Sequence, residues 1–144
     1  MTTTKTNLTE AVVIERTFNA AVARVWEALT NADEMRVWYF DLKEFKPEVG
    51  FEFEFVVEHE GNRYHHLCRV TDVVLQKKIA YTWRYKGEPG NSLVTIELLS
   101  EGDKTRLTYT EQGVHFDGLD SVEGREEGTR GLLEQLASHL ASGR

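Results

Sequence analysis

The sequence predicts a single α+β domain. Its sheet is antiparallel, curved and of about six to seven strands, wrapped around one long C-terminal helix, with two short helices after the first strand. Three observations carry that prediction. Apolar residues recur at a period near 3.6 at the two ends of the chain and at a period of 2 in between. Capping signals sit directly behind the first strand pattern. The last patterned stretch, Asp120–Ser142, is long enough as a helix to make a rod of roughly 30 Å, about as long as a small domain is wide.

In chain order, Ala11–Phe18 alternates as a strand, with Val13 and Ile14 competing for the inward face. Asn19 is a good N-cap residue, and Val22, Val25, Trp26 and Leu29 follow at i, i+3, i+4 and i+7. Asn31 with Glu34 forms a second capping-box pattern, opening a short helix that carries Met35 and Trp38. After Phe40 the period becomes 2. Phe51, Phe53, Phe55 and Val57 alternate with Glu52, Glu54 and Glu58, so one face is buried and the other wet. Gly61-Asn62 turns the chain into Arg63–Val74, with Tyr64, His66, Cys68 and Val70 on one side. Lys78–Tyr85 puts Ile79, Tyr81, Trp83 and Tyr85 on one face, and the loop KGEPGN at Lys86–Asn91 is turn chemistry. Ser92–Leu99 and Thr105–Gln112 are joined through a two-residue turn at Gly102-Asp103; Val94, Ile96, Leu98, Leu107, Tyr109 and Glu111 face inward.

The terminal helix opens on a capping box, Asp120 with Glu123, and carries an apolar stripe of Leu133, Leu136, Ala137 and Leu140. Carried back along the same face, the stripe meets Val122, Arg125 and Thr129. Gly124, Gly128 and Gly131 form a second stripe turned away from the leucines. Their missing side chains leave room for a ligand or a neighbouring backbone, or simply fray the first half of the helix.

Composition narrows the function classes. The 144 residues suit one domain, read as a flexible stretch 1–9 followed by a domain over 10–144, and 40% hydrophobic residues supply a sizeable core. A net charge of −7 argues against nucleic acid or an anionic membrane surface as the main partner. The first nine residues have no apolar signal-peptide region, and no apolar run is long enough for a membrane span. One cysteine, Cys68, precludes an internal disulfide and fits a cytoplasmic location.

Among chemistry-bearing residues, Glu111 is an acid on an otherwise apolar strand face. It either holds a ligand hydroxyl or amine, or serves as a general base, or pairs with Arg125 or Arg69. His66 is either an acid/base group or a hydrogen-bonded core histidine. His65 and His66 are adjacent on a strand and point to opposite faces, so they cannot share a metal. His115 and Asp117 have no convincing ligand spacing, and neither a metal nor another cofactor is expected. Trp26, Trp38, Trp83, Tyr81, Tyr85 and Tyr109 offer ring area with a polar handle, either as pocket wall or as core. Cys68 reads as a small buried hydrophobe. No nucleophile with a base and an orienting acid is visible, nor a phosphate-cradling loop, so the chain leans away from catalysis.

Three segments carry a family resemblance. VWEALTNADEMRVWYF at Val25–Phe40, VTDVVLQKKIAYTWRY at Val70–Tyr85 and EGREEGTRGLLEQLASHL at Glu123–Leu140 together resemble the homologues of the activator of the heat-shock-protein-90 ATPase. The likeness runs roughly from Val12 to Leu140. It implies the helix-grip fold of the START-like, Bet v 1-like superfamily (SRPBCC) and a hydrophobic cavity between sheet and long helix. The superfamily includes lipid carriers, polyketide cyclases, hormone receptors and co-chaperone domains, so the fold alone names no chemistry. The chain departs from the family at Arg125, where many members carry tryptophan. The leading expectation is a small domain binding an apolar or aromatic molecule or lipid in a cavity lined by Trp38, Phe53, Phe55, Tyr64, His66, Trp83, Tyr109, Glu111, Arg125 and Thr129. The alternatives are a cyclase- or hydrolase-type enzyme using the same cavity, and a co-chaperone-like domain that stimulates a heat-shock ATPase.

Overall fold

A computed structural model describes residues 11–59, 61–86, 92–113 and 122–142. The expected flexible stretch 1–9, the Lys86–Asn91 loop past Lys86, His115, Asp117 and the Asp120 cap lie outside the described residues. The elements are β1 (Ala11–Phe18), α1 (Val22–Thr30), α2 (Ala32–Trp38), β2 (Glu52–His59), β3 (Asn62–Val74), β4 (Lys78–Tyr85), β5 (Ser92–Glu101), β6 (Lys104–Gly113) and α3 (Val122–Ala141). The six strands make one antiparallel, curved, open sheet in the order β1-β6-β5-β4-β3-β2. Helices α1 and α2 therefore carry the chain from one sheet edge to the other, and β2 to β6 return as a meander.

Register settles which residues face inward. Val12 lies opposite Glu111 and Ile14 opposite Tyr109. Val12, Ile14 and Phe18 are buried while Val13 is 57% exposed, so Ile14 is the inward residue. Phe53, Phe55, Cys68, Val70, Ile79, Tyr81, Trp83, Val94, Ile96, Leu98, Leu107 and Tyr109 are buried on the same face. The β3 register shifts between Val70 and Asp72, past the stretch Tyr64–Val70, whose alternation is undisturbed. Gly102 adopts φ +73° in the two-residue turn, the left-handed backbone that favours glycine there.

The early helices depart from the sequence reading at one point. Asn19 does not cap α1; Ala21 occupies the cap in extended backbone and gives no side-chain bond. Asn31 is the working cap residue. Its N–H donates to the Glu27 carbonyl, closing α1, and its side-chain oxygen accepts from the Glu34 N–H, opening α2. Glu34 does not complete a capping box, because its carboxylate turns to Arg24 and His139 instead.

Helix α3 packs on β1, α1 and α2. Leu133 and Leu136 are buried, and Ala137 and Leu140 are half-buried, as the 3.6 period requires. Arg16 of β1 meets Glu134 at 2.6 Å, and His139 meets Glu34 at 2.8 Å, so both sides of the helix are tied to the body of the domain. The glycine stripe goes the other way. Gly128 and Gly131 are exposed, and a Cβ built on either meets nothing within 4 Å. Neither makes room for a neighbouring backbone.

Candidate functional site

The inner face of the sheet divides into a purely apolar part under the α3 leucines and a part where polar atoms gather among aromatic rings. Alternation along β6 brings Leu107, Tyr109 and Glu111 to one side, and the β5–β6 register sets Val94 opposite Glu111. Glu111 is only 1% exposed. One carboxylate oxygen accepts from the Ser92 hydroxyl at 2.6 Å and the other from the Tyr109 hydroxyl at 3.0 Å. Burying a carboxyl group in apolar surroundings is costly unless hydrogen-bond partners replace water, and these two hydroxyls are such partners. Ser92 opens β5 directly opposite Trp83 of β4, which places the indole beside this pair.

A second polar pair lies on the same face. Tyr39, just past the C-terminus of α2, has its hydroxyl 2.8 Å from that of Tyr81 on β4. Burial pushes the Tyr39 phenol well above its ordinary value, and the nearby Tyr81, Tyr109 and Cys68 push it the same way. Tyr39 is thus a neutral hydroxyl at any physiological pH, able to donate or accept a hydrogen bond but not to act as a base. On the same face stands His66, buried and stacked on Phe55 with centroids 4.6 Å apart, with Trp83 meeting it edge-on at 4.8 Å. Phe40 stacks in turn on Phe55 at 4.4 Å. This arrangement can hold a flat or greasy body by ring contact and fix one polar group through Glu111, Ser92 or a phenol.

The expected residues fare differently. Phe53, Phe55, His66, Trp83, Tyr109 and Glu111 do share the buried inner face, with Tyr64 half-buried on the same side. Trp38 is buried, but its indole N–H donates to the Ala28 carbonyl at 2.8 Å, fastening α2 to α1. Thr129 is buried on α3, and its hydroxyl has no hydrogen-bond partner among the described residues. The Arg125 side chain lies outside the described set. Arg69 is exposed on the outer face, so it cannot reach Glu111 from there. His65 also faces out and bonds Glu54 at 2.7 Å, opposite to His66 as strand parity demands. Sequence reasoning missed Tyr39, Phe40 and Ser92. Ser92 was legible as the same-face neighbour of Val94, whereas Tyr39 and Phe40 sit in irregular backbone that has no period to read. No group of three His, Cys, Asp or Glu suited to a metal occurs among the described residues.

Among the concavities bounded by described residues, one lies on the outer face of the sheet and another at its β2 edge, where it also touches Phe53 and Phe55. One, of about 530 Å³, is on the outer face over Glu52, Glu54, Leu67, Arg69, Thr82 and Arg84. The other, of about 510 Å³, runs along β2 between that strand and Asp41, Lys43 and Glu44.

The family model for Activator of Hsp90 ATPase homolog 1-like protein matches residues 19–141. The chain belongs to this family. Among solved structures, this family member is similar to the Mll3558 protein of Rhizobium loti at 38% identity and TM-score 0.79, covering 90% of this chain and 96% of that one. It is similar to protein MLL2253 of Mesorhizobium loti at 26% identity and TM-score 0.81, over 94% and 99% of the two chains. CalU16 of Micromonospora echinospora shares the fold, at 21% identity and TM-score 0.73 over 90% of this chain and 75% of that one. No curated protein sequence gives a significant match. Membership fixes a START-like domain with the helix-grip fold described above. No helix among the described residues is long and apolar enough to cross a membrane.

Proposed function

We propose that this family member binds a small apolar or aromatic molecule between the inner face of the sheet and α3, and that Glu111 orients a hydroxyl or amine on it. The observation that carries this is the buried Glu111 carboxylate, held by Ser92 and Tyr109 on a face otherwise built of rings and aliphatic side chains. A carboxyl group on a core face costs stability wherever an apolar side chain would pack, so its presence calls for a role. Phe53, Phe55, Tyr64, His66 and Trp83 supply ring contact in this reading, with Trp38, Thr129 and Arg125 on the helical side.

The test is native mass spectrometry of the purified protein, followed by a thermal-shift screen of fatty acids, lipids and aromatic polyketides. A compound that binds only the folded state stabilises it by roughly 2.7 kcal/mol at a hundredfold excess over its Kd. Glu111→Gln should weaken a hydroxylated or amine ligand about tenfold or more and leave a plain hydrocarbon analogue unaffected. An empty protein that no compound stabilises would sink the proposal. The family description favours a second reading, contact with a heat-shock ATPase, for which the direct test is stimulation of such an ATPase by this chain.

A further inference from the structure

We propose that the free edge of β2 is a docking site for a lysine- or arginine-rich segment of another protein, bound in extended conformation as an added strand. The sheet order leaves β2 at one end. The other end, β1, is covered by α3 and pinned by the Arg16–Glu134 ion pair. Hydrogen-bond parity shows what β2 presents. The Val70 N–H donates to the Phe51 carbonyl, and Phe53 and Phe55 pair with Cys68 and His66. Residues two apart repeat that direction, so Phe53, Phe55 and Val57 bond β3, while Glu52, Glu54, Val56 and Glu58 turn their N–H and C=O groups to the open side. From Glu52 to Val56 this edge is about 14 Å long, room for about five extended residues.

The groove beside that edge says what would fit. Its second wall is the chain at Asp41, Lys43 and Glu44. Asp41, Glu44, Glu52 and Glu54 line it with one ammonium, Lys43; behind them His65 engages Glu54, Lys46 lies 3.9 Å from Glu44 and Arg69 stands opposite Glu52, so the carboxylates keep an excess only on the open side of the edge. A second copy of this chain is a poor occupant, because two β2 edges would bring rows of glutamates together. A cationic strand meets complementary charge on the outer face, while its alternate residues reach the ring edges of Phe51 and Phe55 in the groove. Backbone pairing supplies the adhesion and the glutamates select the sign of the partner.

The probe is a blocked decapeptide of alternating lysine and valine, with a glutamate–valine peptide as control, measured by fluorescence anisotropy at low and high salt. Binding of the lysine peptide should weaken at least tenfold in the Glu52→Gln/Glu54→Gln double variant. Val56→Pro should abolish it, because it removes an outward N–H that β3 does not use; prolines are tolerated at such edge positions. In the unmodified protein, the peptide should slow hydrogen exchange at the Glu54 and Val56 amides at least tenfold. Unchanged exchange at those amides would overturn the proposal even if Val56→Pro failed to fold. So would equal binding of the glutamate peptide, or binding that Val56→Pro leaves intact.

Discussion

Two parts of one buried surface, the seam under the α3 leucines and the ring-and-hydroxyl region around Glu111, are built on different rules. At the seam, Leu133 and Leu136 meet an apolar surface, and nothing there needs an exact partner beyond shape. Around Glu111, every polar atom needs a hydrogen bond, and a displaced donor leaves a carboxylate stranded. The seam therefore holds the fold with tolerance for conservative exchange. The polar region holds little of the fold and is sensitive to single atoms, which is the behaviour expected where a ligand is recognised.

The largest effect should come from breaking the seam. Leu136 is fully buried, so Leu136→Ala should cost about 2–5 kcal/mol in denaturant unfolding through lost transfer energy and a residual cavity. Leu136→Met should cost under about 1.5 kcal/mol. A comparable loss in both variants would contradict the tolerance claimed for the seam.

In the polar region the expected effects are smaller and come from single hydrogen-bonding atoms. Glu111→Ala removes the acceptor from Ser92 and Tyr109 and leaves two buried hydroxyls, at a cost of about 1–3 kcal/mol. Tyr39→Phe deletes a single oxygen and leaves the Tyr81 hydroxyl without it, for about 0.5–1.5 kcal/mol. If Tyr39→Phe were stabilising, the phenol pair would owe its place to ligand contact rather than to the fold.

The sequence made the seam easier to read than the polar region, for a physical reason. A leucine stripe and strand alternation are periodic, so Leu133, Leu136, Tyr109 and Glu111 could be assigned to a face from spacing alone. The pairings in the polar region could not. That Ser92 meets Glu111 depends on the register between β5 and β6, and that Tyr39 meets Tyr81 on where α2 ends, neither of which is periodic. Trp38 shows the converse: its ring was assigned inward by spacing, yet the indole N–H is taken up by Ala28, a contact set by how α1 and α2 cross. The glycine stripe left its alternatives open because absence of a side chain reads the same whether a neighbour or solvent fills the space; at Gly128 and Gly131 a Cβ would meet nothing within 4 Å.

The clasp at the end of the seam gives a pH test. Burial raises the Glu34 carboxyl, but hydrogen bonds from His139 and Arg24, with the charge of Arg24, outweigh it and hold the group below its ordinary value of 4.5. A folded-state value below the unfolded one means that the stabilisation is complete above about pH 4.5 and is lost as pH falls through the folded value. Glu34→Gln should therefore cost about 1 kcal/mol at pH 7, and the gap from the unmodified protein should close in acid. A gap that persisted at pH 2 would assign the effect to packing.

The smallest effect has the opposite sign and isolates α3 from what it packs on. Gly128 and Gly131 face open space, so Ala at either position adds helix propensity without touching the seam or the rings. Each of Gly128→Ala and Gly131→Ala should raise stability by about 0.5–1 kcal/mol, additively to within a few tenths. The ring region should be unaffected, so ligand affinity should not change in these variants. If affinity fell while stability rose, a bound molecule or partner would reach the outer side of α3, and those glycines would be clearance for it.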